Sequence, residues 1–132
     1  MAIHRNYPHP WPISMLQCTS EALAMSFNIG RVGRTEAFSI SDSGVHECEM
    51  PKLDIPEKML PPEDNVARWD MEHEKPIKWI DETTLIILKH GYVSLREGDG
   101  PEGYGCDFTV HFDKIGKGQV IKIEKNPSPD DI

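Results

Sequence analysis

Eleven prolines and ten glycines in 132 residues leave this chain little room for long helices. Each proline removes a backbone donor and fixes φ, and glycine breaks regular helix, so a turn-rich fold is expected. The apolar residues agree, because they recur at a period of two. Leu23, Met25, Phe27 and Ile29 alternate with Ala24, Ser26 and Asn28, the pattern of a half-buried strand. Over residues 13–25, Ile13, Leu16 and Leu23 also have helical spacing, so a short helix or turn is expected before residue 22 and a strand from there on. Gly30 and Gly33 bracket a turn, and Phe38 and Ile40 alternate up to the Ser-Asp-Ser-Gly turn at 41–44. Residues 45–50 are then its hairpin partner.

Alternation stops at residues 51–65, where Pro51, Pro56, Pro61 and Pro62 are interleaved with charges. This stretch reads as a long connection inside a single domain spanning 1–132, because neither flank alone builds a core. Beyond it, residues 66–71, 77–80, 85–90, 92–95, 107–112 and 120–124 are six strand candidates. Residues 77–85 sound like a hairpin of a small antiparallel β protein: a Trp-bearing strand, a polar turn, then an aliphatic strand. Leu85, Ile86, Ile87 and Leu88 are apolar on both faces and predict a central strand. Phe108, Val110 and Phe112 share one face, with Thr109 and His111 on the other, and Gly116 marks a tight turn. The fold class is therefore mainly β: a single antiparallel sheet, a sandwich or a partly open barrel with at most one or two short helices. A Pro-rich arm (1–12) and a loose polar tail (126–132) flank it.

Charge is distributed unevenly. Between Asp42 and Glu82 twelve acids face five bases, which accounts for seven of the eight excess negative charges. Such a surface attracts cationic partners and repels nucleic acid and anionic lipid. Lys114, Lys117, Lys122 and Lys125 form a small basic cluster offset by Asp113 and Glu124, too little for direct nucleic-acid binding. The longest purely aliphatic run, 85–88, falls far short of a membrane span of roughly 20 residues. No apolar export signal is visible, and Cys18, Cys48 and Cys106 are an odd, sparse set, so a cytoplasmic protein with reduced thiols is expected; one bridge and a spare thiol outside the cell is the alternative.

Chemical motifs are thin. His46 and Cys48 would share a strand face, whereas Cys106 and His111 would lie on opposite faces, and no paired metal-ligand spacing exists. The glycine-dense segment 98–105 carries Asp99 and Glu102, which repel phosphate, and reads as a hairpin loop. Glu47 with Glu49, and Glu72 with Glu74, line strand faces as like-charged pairs, the pattern of a solvated or docking face. No catalytic residue, metal or cofactor is assigned.

What the residues support is a binding role. Trp and Tyr dominate interface hot spots, and the acidic stretch holds Trp69 beside Asp70, Glu72 and Glu74. The candidate partner-binding residues are Glu47, Glu49, Asp64, Trp69, Asp70, Glu72, Glu74 and Tyr104; Trp69 and Trp79 can equally be core. The expected partner is a cationic protein, and the expected function is an inhibitor of the immunity type that neutralises a cationic toxin or nuclease. Alternatives are a phage-type nucleic-acid mimic blocking a host defence protein, a small β-barrel ligand carrier or enzyme, and an assembly protein of a larger particle.

Overall fold

Period-two alternation becomes strand almost throughout. The computed structural model describes residues 12–18, 22–29, 32–97 and 101–126. These form β1 (Pro12–Cys18), β2 (Ala22–Ile29), β3 (Val32–Ser41), β4 (Gly44–Glu47), β5 (Val66–Asp81), β6 (Thr84–Leu95), β7 (Pro101–Phe112) and β8 (Gly118–Lys125). Among the described residues, helix is confined to two single 3-10 turns, Glu57–Met59 and Glu63–Asn65, inside the proline-rich connection. The strands make two antiparallel sheets, β1 to β4 and β5 to β8, which do not close into a barrel. A parallel bridge between Val32 and Glu72 joins them.

Several strands are longer than the sequence pattern suggests. Residues 66–71 and 77–80 belong to one 16-residue strand, β5, and residues 85–90 and 92–95 to β6. The ladder absorbs the breaks through register shifts, one of them directly after Pro76. A bulge is where a residue without an N–H is tolerated in a sheet. The helix or turn expected before residue 22 is instead β1, paired with β2 through Met15 and Met25. Partner-strand hydrogen bonding outweighs the weak local helical spacing of Ile13 and Leu16. Gly33 lies within β3 opposite Asn28, not at a turn, while Gly30 falls outside the described residues. The hairpin partner of β3 is shorter than 45–50: the ladder ends at Glu47, and Cys48 N–H then bonds Ala37 O at 2.8 Å.

The interior follows from which faces are apolar. β6 runs between β5 and β7, and Leu85, Ile87 and Leu88 are buried as a central strand requires. Phe108, Val110 and Phe112 point inward while His111 is exposed. Small side chains of the first sheet (Ala22, Ala24, Ala37) pack in one cluster with Trp79, Leu85, Phe108 and Phe112 of the second. Alanine opposite aromatics lets the sheets approach closely, and burying one such ring contributes on the order of 2–3 kcal/mol. The connection 51–65 covers the rest, with Leu53 buried and Met59 Sδ 3.5 Å from Cys106 Sγ. Gly116, at φ +84°, makes the expected turn into β8.

Candidate functional site

Four of the candidate residues lie on β5, and the ladder decides what each one meets. Glu72 and Glu74, two apart, share a face. Glu72 pairs in register with Gly91 on β6, and Gly91 with Tyr104 on β7. Gly91 has no side chain, so the Tyr104 ring crosses it and its hydroxyl donates to Glu72 Oε2 at 3.0 Å. The other oxygen of Glu72 lies 3.4 Å from Lys89 Nζ, which also donates to the Leu53 carbonyl. Glu74 Oε1 accepts the Thr35 backbone N–H at 3.1 Å. Asp70 accepts from Arg68 Nε at 2.7 Å and from Ser94 Oγ at 2.9 Å. Trp69 stands edge-on to Tyr104, centroids 5.7 Å apart, with 46% of its surface exposed.

The electrostatics follow from burial. Burial pushes the Glu74 carboxyl above the usual range; the Thr35 N–H, Lys89 and Arg34 pull it back, and the Glu72 charge raises it further. Burial, then the Glu72 charge and hydrogen bond, raises the Tyr104 phenol, which stays a proton donor at any physiological pH. Burial likewise raises the Cys48 and Cys106 thiols, which argues against either as a nucleophile at neutral pH.

The remaining candidates sit elsewhere. Glu47 ends β4 and is exposed, Glu49 is exposed beside its backbone bridge to Lys117, and Asp64 is exposed in the second 3-10 turn. The structure therefore gathers Trp69, Glu72 and Tyr104 with Glu74 alongside, and leaves Glu47, Glu49 and Asp64 apart from them. Trp79 is core, packed 6.2 Å from Phe112. Lys89, Gly91, Thr35 and Ser94 escaped the sequence reading. Lys89 had a usable signal, since a lysine directly after the aliphatic run 85–88 of a central strand needs partners.

The weaker motifs resolve plainly. His46 is exposed, with its ring nitrogen 2.8 Å from Ser43 Oγ, whereas Cys48 is buried just beyond the end of β4. Cys106 and His111 do lie on opposite faces, one buried and one exposed. Among the described residues no group of three or more His, Cys, Asp or Glu is placed to hold a metal ion. Residues 101–105, expected in a loop, form the start of β7. An open cleft of about 350 Å³ lies between residues 59–62, 102–105 and 125–126, lined mainly by polar surface. A ligand carrier calls for an enclosed apolar pocket instead. No described helix is long and apolar enough to cross a membrane.

Fold and site together define a two-sheet antiparallel β protein with a half-buried Glu-Lys-Tyr cluster beneath an exposed tryptophan. No protein-family model matches this chain, and no curated protein or solved structure matches it.

Proposed function

We propose that this protein is a protein-binding inhibitor of the immunity type, neutralising a cationic toxin or nuclease in the cytoplasm through an acidic surface. The observation that carries this reading is the fate of the twelve acids between Asp42 and Glu82. Nine are exposed, and only Asp70, Glu72 and Glu74 are drawn inward. A nuclease has to be cationic to hold phosphates, so an acidic surface competes for the same field and steers encounter toward roughly 10⁸–10⁹ M⁻¹s⁻¹. On this reading Glu47, Glu49, Asp64 and Trp69 face the partner. Asp70, Glu72, Glu74 and Tyr104 hold β5 and the indole in place behind them. An aromatic anchor fixed before binding loses less entropy on association.

The test is capture of partners from the source cell's lysate at ~0.05 M and ~0.5 M salt, conditions that change screening severalfold. The expected result is one stoichiometric cationic protein, held less well at high salt. That capture should be lost when Asp54, Glu57, Glu63 and Asp64 are all changed to lysine, with the melting transition retained. An unaltered capture by this variant would remove the 51–65 surface from the reading. No partner at either salt would count against the inhibitor for every protein in that lysate.

A further inference from the structure

The two sheets meet at a seam that is both narrow and charged. The Val32–Glu72 bridge joins β3 to β5 there, and three residues along β3 the Thr35 amide donates to the Glu74 carboxylate. Three strands bring charged groups to that carboxylate. β3 contributes Arg34, β6 contributes Lys89, and β5 contributes Glu72, while His73 between the two acids points to the opposite face. From β7, Tyr104 bonds Glu72, and Cys106 pairs in register with Lys89. The 51–65 connection enters through the Leu53 carbonyl on Lys89. β1 and β2, which also pack on β5, carry no charged residue. The Thr35 hydroxyl is buried at the seam with no hydrogen-bond partner.

We propose that this seam is a proton-linked joint, held more tightly when the Glu74 carboxyl carries a proton than when it is ionised. The ionised carboxylate is poorly compensated. Lys89 is shared with Glu72 and the Leu53 carbonyl, Arg34 is exposed, and Glu72 adds like charge. A protonated carboxyl loses the charge that burial penalises, yet its carbonyl oxygen still accepts the Thr35 N–H.

The sign follows from linkage. Burial outweighs the compensating groups in the closed seam, so Glu74 binds its proton more tightly there than in an opened seam, where water restores an ordinary carboxyl. The closed form is thus fully favoured below the ordinary carboxyl range. It loses that advantage as pH rises through the raised value.

The experiment is NMR on the full chain from about pH 4 to about pH 8, following the Glu74 side-chain carboxyl carbon and the protection factor of the Thr35 amide. Glu74 is expected to titrate above the ordinary ~4.3 of a glutamate. Thr35 protection should fall through the same interval, while the core amide of Ile87 stays flat. In Glu74→Gln, which keeps the acceptor and removes the titration, the fall should be lost. Thr35 protection that ignores the Glu74 titration, or an unchanged fall in Glu74→Gln, would overturn the joint. If the variant does not fold, the wild-type titration decides alone: a Glu74 carbon titrating at or below the ordinary value would overturn it.

Discussion

Tyr104 reaches Glu72 across an intervening strand, hydroxyl to carboxylate at 3.0 Å, because Gly91 between them has no side chain. The neighbouring rung repeats the device. Tyr92 on β6 lies over Gly103 on β7, its Cε1 3.4 Å from where a Cβ would stand. An aromatic laid over a strand glycine covers backbone that would otherwise be exposed. On the Tyr104 rung the result is a donor aimed at a half-exposed carboxylate.

Removing that donor should be measurable. Tyr104→Phe is expected to cost roughly 1–2 kcal/mol in urea unfolding, the range for a hydrogen bond to a charged, partly solvated acceptor. Gly91→Val is expected to cost more, because it displaces the whole ring and breaks the contact with Trp69 as well. Equal stability of Gly91→Val and wild type would show that Tyr104 does not need that path.

The two tryptophans of the second sheet should separate cleanly. Trp79→Ala removes a buried ring and is expected to cost about 3–5 kcal/mol. Trp69→Ala loses an exposed ring and one edge contact, about 0.5–1.5 kcal/mol. If the proposed binding role holds, Trp69→Ala nevertheless weakens partner capture in the lysate assay, a difference that thermal melting of both variants would expose.

Gly118 is a packing constraint rather than a turn residue. A Cβ there would stand 2.8 Å from the Phe112 ring, 2.8 Å from Pro51 Cδ and 2.9 Å from the Glu49 carbonyl oxygen. Two of these are a ring and a backbone atom that cannot swing aside. Gly118→Ala is expected to destabilise by about 1–3 kcal/mol, seen as a lower denaturation midpoint with an unchanged slope.

Thiol reactivity gives a chemical check on the core. Cys48 and Cys106 are buried, and burial raises both thiols. In a Cys18→Ser background they are expected to resist a water-soluble disulfide reagent at pH 7.5 and to react fully in denaturant. Rapid modification of the folded protein would contradict the packing of Met59 over Cys106.

Much of the fold was legible because strand alternation is a local property. Leu85 to Leu88 announced a strand covered on both faces, Phe108, Val110 and Phe112 announced their shared inner face, and the four prolines marked the connection. β1 was not legible. Its residues have mixed periodicity, and its strand state depends on β2, whose register no local pattern encodes. The joining of 66–71 to 77–80 was hidden for the same reason, since a bulge is defined only against a partner strand.

The candidate site was legible in composition and not in direction. Sequence alone determined that residues 42–82 hold the charge excess, that Glu72 and Glu74 share a face, and that a β scaffold carries them. Period-two alternation says which residues go together but not which face is covered. Only the tertiary structure decided that Glu72 and Glu74 turn inward toward Lys89, Tyr104 and Thr35, while Trp69 stays at the surface and Trp79 enters the core. Those partners come from β3, β6 and β7, and pairing between distant strands is set by the packing of the whole core rather than by any neighbouring residue.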